Sequence, residues 1–235
     1  MTNVTKWDNV VNMENNIKKA FEELYSRKAE MEKFMDFYVF KRMKVDKNTF
    51  LNDKNDFLLF IKFCLNTAQK KSDKNLKDGL SYFKSKYSYI IKLLNNKDID
   101  KLKRCIYESP GVGQKIGSMI LEFVYLYSDK RDDVIAKELF LPLDTHVLHL
   151  LDECFHLNNI PKEHQFKIEN ANFIKFQKSL QNYTNGKPII YFDYLWFIGK
   201  IFCNKINENA EKSRGYKLCN YCWIQKYCEN EDKWI

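Results

Sequence analysis

The chain has 235 residues, 45% hydrophobic and 15% aromatic, which suffices for one large domain or two small ones sharing a core. Seven glycines and four prolines argue against disorder and against an all-β sandwich, and no apolar run reaches membrane-spanning length. A net charge of +8, from 39 basic against 31 acidic residues, is compatible with a polyanionic partner, although the abundant Lys and Asn also fit an AT-rich genome.

The N-terminus, Met1-Thr2-Asn3-Val4-Thr5-Lys6-Trp7, has no signal-peptide profile, so an intracellular protein is expected. In that setting seven cysteines point to metal ligation or buried thiols rather than disulfides. Residues from Asn15 to Arg42 read as helix. Ile17, Ala20, Phe21, Leu24 and Tyr25 form one apolar stripe, which Met31, Phe34, Met35 and Tyr38 continue. Phe57 to Leu65 is apolar almost all round and reads as a buried helix, with Asp56 as its candidate N-cap. Asn75 to Leu94 reads as a helical region broken near Ser85 to Ser88.

Ile99, Leu102, Cys105 and Ile106 then recur at helical spacing, as do Ile116, Met119, Ile120, Phe123, Val124 and Tyr127. Between the two patterns lies Ser109-Pro110-Gly111-Val112-Gly113-Gln114-Lys115. Pro110 cannot continue the first helix, and the glycines permit backbone conformations closed to other residues. Gly113 falls where the second helix begins. Its backbone N–H groups and positive dipole end make a ready phosphate site.

Ser128 to Glu138 reads as a charged connection, and Thr145 to Phe155 as a helix with Asp144 as N-cap. Its apolar side carries Val147, Leu148, Leu151, Cys154 and Phe155. Ala171 to Tyr183 is another expected helix, ended by Thr184-Asn185-Gly186-Lys187-Pro188. Ile189 to Ile206 is strongly aromatic. No strand pair, repeat or low-complexity tract is recognisable, so the expected class is all-α.

The hairpin resembles the helix-hairpin-helix element of the DNA glycosylases that carry a catalytic aspartate after it, endonuclease III above all. In that family a leucine leads the hairpin where Ser109 stands here. Leu143-Asp144-Thr145-His146 resembles the family's Val-Asp-Thr-His segment. Cys203, Cys219, Cys222 and Cys228 resemble its C-terminal iron–sulfur ligands. The three blocks occur in the family's order over roughly the C-terminal half of the chain.

The resemblance implies a two-lobed fold. Residues 1–45 would join the cluster lobe, 46–140 would form a helical lobe ending in the hairpin, and 141–235 would carry the catalytic aspartate and the cluster. It implies that Pro110, Gly111, Val112 and Gly113 hold backbone phosphate, that Lys115 attacks the sugar of a damaged nucleotide, and that Asp144 stabilises the charge that develops. Taken alone, Lys115 is also compatible with a solvated surface lysine, Asp144 with a plain helix cap, and the hairpin with a ligand-free turn. His146 reads as structural rather than catalytic. If Thr67-Ala68-Gln69 matches the family's Ala-Gln segment, Gln69 fills the emptied base position, but the lobe that follows is shorter than in endonuclease III by several helical turns.

Cys219-x2-Cys222-x5-Cys228 keeps the family's spacing, while the fifteen residues between Cys203 and Cys219 make a longer loop than the family's. Four thiolates suit a [4Fe–4S] cluster or a structural zinc. A single Cys-x-x-Cys pair favours the cluster. Cys64, Cys105 and Cys154 fall on apolar helical faces and are expected to be buried thiols. The long loop carries Lys205, Lys212, Arg214 and Lys217, which would touch DNA backbone or form a solvated insertion.

The function implied is a DNA base-excision repair glycosylase with AP lyase activity. It would act on double-stranded DNA containing a damaged base or abasic site, with an oxidised pyrimidine as the first candidate. An AP lyase without base excision, a monofunctional mismatch or oxidised-purine glycosylase, and a non-catalytic DNA-binding protein are the alternatives. A monomer without membrane association is expected, in the cytoplasm and nucleoid if the source is prokaryotic.

Overall fold

A computed structural model describes residues 6–67, 73–126, 133–203 and 221–228. The protein is all-α: the described residues are mostly helical and contain no strand. The chain divides into two compact units, one formed by Met1–Met31 with Leu143–Ile235, the other by Glu32–Pro142.

In chain order the helices are α1 (Lys6–Ser26), α2 (Lys28–Met35), α3 (Lys54–Asn66), α4 (Asp73–Asn95), α5 (Ile99–Tyr107), α6 (Gln114–Leu126), α7 (Asp133–Glu138), α8 (Thr145–His149), α9 (Ala171–Gln181) and α10 (Phe192–Ile201). The single helix expected over Asn15 to Arg42 is interrupted at Arg27 and then widens into a π-helical turn over Asp36–Lys41. The wider turn advances the buried face. Val39 and Phe40 enter the core, while Phe34 and Tyr38 stay half-buried and stack on each other at 5.4 Å.

Three further differences have local causes. Asp53, not Asp56, caps α3, accepting from the amides of Asn55 at 2.7 Å and Asp56 at 2.9 Å. α4 runs unbroken through Ser85 to Ser88, with the Ser85 hydroxyl donating to the Tyr82 carbonyl inside the helix. The expected charged connection ends in α7, which buries Ile135 and Ala136. Tertiary burial overrides a polar local sequence there.

The second unit is built round rings. Phe50 and Phe123 each pack edge-on against Phe60, at 5.1 and 5.5 Å, and Phe40 and Phe57 join them. Each fully buried ring contributes about 1.5–3 kcal/mol. In the first unit Phe21 of α1 meets Tyr191 edge-on at 4.9 Å and Phe155 at 5.6 Å. Phe173, Phe176 and Leu180 of α9 and Leu195 and Ile198 of α10 complete that core.

Gly199 explains how α8 and α10 approach. A Cβ there would lie 2.6 Å from the carbonyl oxygen of His146, so only glycine permits the backbone contact.

Candidate functional site

The hairpin belongs to the second unit. After α5 the chain turns over Glu108 to Gly113, with the Val112 amide donating to the Ser109 carbonyl at 3.0 Å. Gly111 adopts a φ of 72°, which explains the glycine at that position. The turn is held from three sides. A Cβ on Gly79 of α4 would stand 2.9 Å from the Pro110 carbonyl oxygen, and one on Gly117 would collide with the Tyr107 ring. The Tyr107 and Ser118 hydroxyls lie 2.7 Å apart. Buried Gln114 donates from Nε2 to Ser118 Oγ at 3.3 Å and to the Leu141 carbonyl at 3.0 Å.

Gly113 differs from these packed glycines. It is exposed, and a Cβ there would meet no atom within 4 Å. Packing therefore does not require glycine at 113, whereas close approach of an external group would. α6 starts at the next residue, so the amides of its first turn lie beside Gly113. Lys115, half-buried, stands in that turn. The sequence indicates Pro110, Gly111, Val112, Gly113 and Lys115; it does not indicate Tyr107, Gln114 and Ser118, which hold the turn in shape. Ser109 Oγ is buried and finds no hydrogen-bond partner among the described residues.

Asp144 belongs to the other unit and is the N-cap of α8. Its backbone is extended, and its Oδ1 accepts from the amides of His146 at 3.0 Å and Val147 at 2.9 Å. One oxygen is committed to the cap. The residue is 6% exposed. His146 faces the indole of Trp196 edge-on at 6.5 Å, in keeping with a structural role.

The third feature, in the same unit as Asp144, is a corner of thiols. α8 continues into a π-helical turn, Leu150–Cys154, closed by the Phe155 amide donating to the Leu150 carbonyl at 3.0 Å. Cys203 follows α10. The segment Cys222 to Cys228 is a tight loop, with Gln225 N bonded to Cys222 O at 3.2 Å and Cys228 N to Gln225 O at 3.0 Å. Trp223 of this loop packs 5.2 Å from Phe197, Ile224 is buried, and Lys226 pairs with Glu23 at 3.2 Å.

Cys154 is a buried thiol, as expected. The hydrogen bonds from Cys154 and Cys222, and then the charge of His149, pull Cys203 well below the usual thiol range. The bonds to Cys203 and Cys228, together with burial, push Cys154 up. Among the described residues no group of three or more His, Cys, Asp or Glu side chains is placed to hold a metal ion. Cys64 and Cys105 are buried thiols as expected.

Gln69, Lys212, Arg214 and Cys219 lie outside the described residues. Lys115 and Asp144 fall in different units. Compared with known proteins, the chain matches no family model, no curated protein and no solved structure.

Proposed function

We propose that the protein is a helix-hairpin-helix DNA glycosylase with associated AP lyase activity, acting on duplex DNA. The observation that carries the reading is the open Cβ position of Gly113 at the start of α6, one turn of chain that also bears Lys115. A glycine that no protein atom requires, beside helix-start amides, suits a phosphate oxygen drawn against the backbone. Such contacts position DNA without reading sequence.

In this reading Lys115 Nζ attacks C1′ of the damaged nucleotide. The N-glycosidic bond breaks, and the base leaves with the bonding pair and takes up a proton. Loss of a proton from the amine and opening of the sugar ring give a Schiff base. Removal of a C2′ proton then expels the 3′ phosphate oxygen and cuts the strand. The Asp144 carboxylate stabilises positive charge developing on the sugar. An oxidised pyrimidine is the preferred substrate, by resemblance to endonuclease III.

The thiol chemistry of the corner fits a thiophilic group. A [4Fe–4S] cluster held by Cys203, Cys222 and Cys228, with Cys219 from the sequence pattern, would supply a cross-link that fixes the C-terminal loop.

Borohydride trapping tests the reading. Wild-type protein should form a covalent adduct with lesion-bearing and with abasic duplex, because borohydride reduces the lysine imine to a stable amine. Lys115→Ala should abolish the adduct and keep nearly all duplex affinity. Trapping only on abasic duplex would leave an AP lyase. Trapping at the wild-type rate in Lys115→Ala would transfer the attack to another amine and withdraw the assignment.

A further inference from the structure

We propose that the π-helical turn Asp36–Lys41 and the residues just after it form a surface for single-stranded nucleic acid, with Phe37 stacking a base and Lys41, Arg42 and Lys44 meeting backbone phosphates. The surface lies wholly within the second unit and uses no residue of the hairpin. It therefore goes beyond the duplex reading above and does not depend on it.

The inner face of this segment is Met35, Val39 and Phe40, all buried. Phe40 anchors it, packing on Phe50 at 5.7 Å and on Phe123 at 6.1 Å. Phe37 is two positions from Met35 and so about half a turn round the helix. It is 65% exposed. An outer helix position ordinarily carries a polar or charged side chain. Lys41 Nζ lies over the Phe37 ring, 5.8 Å from its centroid. Beside it Phe34 and Tyr38 stack with their planes 13° apart, and the Arg42 guanidinium lies over Tyr38 at 5.2 Å. The turn thus carries two aromatic–cation pairs in succession, Phe37 with Lys41 and Tyr38 with Arg42. π-helical turns are often found at functional sites.

Charge selects the partner. Lys41, Arg42 and Lys44 fall within four residues and are all exposed. From Glu32 to Lys47 five cations face three acids, a net of +2 (5 − 3). Of those acids, Asp36 pairs with Lys47 at 2.7 Å, and Asp46 accepts the Asn48 amide at 2.8 Å. The backbone that carries the cations is held in place: Lys44 ends the helix with a φ of 56°, and the Val45 amide donates to the Phe40 carbonyl at 3.2 Å. A helix dipole accounts for cations at a C-terminus whatever they bind, but not for an exposed phenyl ring among them. A single strand meets both features at once, because every base has a π-face and every nucleotide a phosphate. A duplex keeps those faces stacked inside, and an acidic side chain has none.

Fluorescence anisotropy of the full chain with labelled oligothymidine and oligouridine strands tests this. Binding to at least one strand is expected, and the stronger of the two tells DNA from RNA. Phe37→Ala should weaken it by about five- to 150-fold, the worth of one stacked base. Phe37→Leu keeps apolar bulk without a π-face and should weaken it nearly as much. Lys41→Gln combined with Arg42→Gln should lower the salt slope by about 0.7 for each cation removed. A thermal melt confirms that each variant is folded. Absence of binding to both strands, or wild-type affinity in both Phe37 variants, overturns the proposal. Loss in the Lys41 and Arg42 variant with Phe37→Ala unchanged would show a surface that reads charge alone and overturns it as well. Borohydride trapping of the wild-type protein on abasic duplex is scored in parallel. Its absence defeats the glycosylase reading and leaves the strand-binding result standing.

Discussion

The hairpin and the thiol corner draw on different parts of the sequence. In the hairpin Tyr107 meets Ser118 eleven residues on, and Gln114 meets Leu141 twenty-seven residues on. In the corner Trp223 meets Phe197 twenty-six residues back (223 − 197), while Lys226 of the same loop meets Glu23 across 203 residues. The hairpin draws on nearby stretches: glycines and proline shape the turn, and Gly79 of α4 and the Leu141 carbonyl hold it from outside. The corner exists only when α1, α8, α10 and the C-terminal loop have packed. Its stability is therefore tied to the fold of its whole unit, and a metal bound there adds its affinity to folding.

Removing a sulfur should produce the largest effect. Cys222→Ala is expected to lose bound metal by more than tenfold and to lower both folding yield and Tm. Metal analysis and a thermal melt check this together. A variant with wild-type Tm and metal content would show that the corner is not a metal site and that its thiols merely pack.

Asp144→Asn comes next and separates capping from chemistry. Asn caps helices about as well as Asp, so stability should hold within about 1 kcal/mol. Loss of the charge should slow base release by about 2–4 kcal/mol in the barrier, roughly thirty- to nine-hundredfold, in single-turnover assays on lesion duplex. Equal rates for the wild type and the Asp144→Asn variant would reduce the residue to the cap that the His146 and Val147 amides already describe.

Two glycines then sharpen the contrast within the hairpin. Gly117→Val places a side chain into the Tyr107 ring and should cost about 1–3 kcal/mol, with Tm falling several degrees. Gly113→Val meets open space and should leave Tm near wild type. Its affinity for damaged and undamaged duplex should nonetheless drop, with a shallower dependence on salt. If Gly113→Val binds duplex like wild type, the hairpin is not an interface.

How legible these features are in the sequence follows from their range. The N-cap at Asp144 and the turn at Pro110 to Gly113 are readable because capping and turn chemistry act within four residues. The stripe of Ile17, Ala20, Phe21 and Leu24 is readable because helical periodicity is local. The π-helical turns at Asp36–Lys41 and Leu150–Cys154 are not, because one inserted residue leaves no mark on composition while it moves Phe40 inward and sets the place of Cys154. Asp56 passes for the cap because an acidic residue in a first turn and a cap three residues earlier look alike. The docking of the C-terminal loop on α1 cannot be read from spacing, since 203 residues separate Lys226 from Glu23.

The smallest expected effect is at Ser109, where the chain departs from the leucine of the resembled hairpin. Its hydroxyl is buried in the turn, and the residue is 4% exposed. Burying a hydroxyl without a partner costs about 1–3 kcal/mol. Ser109→Ala removes that cost but leaves a space smaller than a methyl group, which takes some of the gain back. The Val112 amide bond to the Ser109 carbonyl belongs to the backbone and survives the change. The balance should favour the variant by up to about 1 kcal/mol, which in a protein of this size raises Tm by about 2–4 °C. Duplex affinity should stay unchanged, because the side chain is buried in the protein and the phosphate would meet the amides beyond Gly113. A fall in Tm would mean that the hydroxyl holds the turn together. In that event Ser109 joins Tyr107, Gln114 and Ser118 among the side chains that hold the turn in shape.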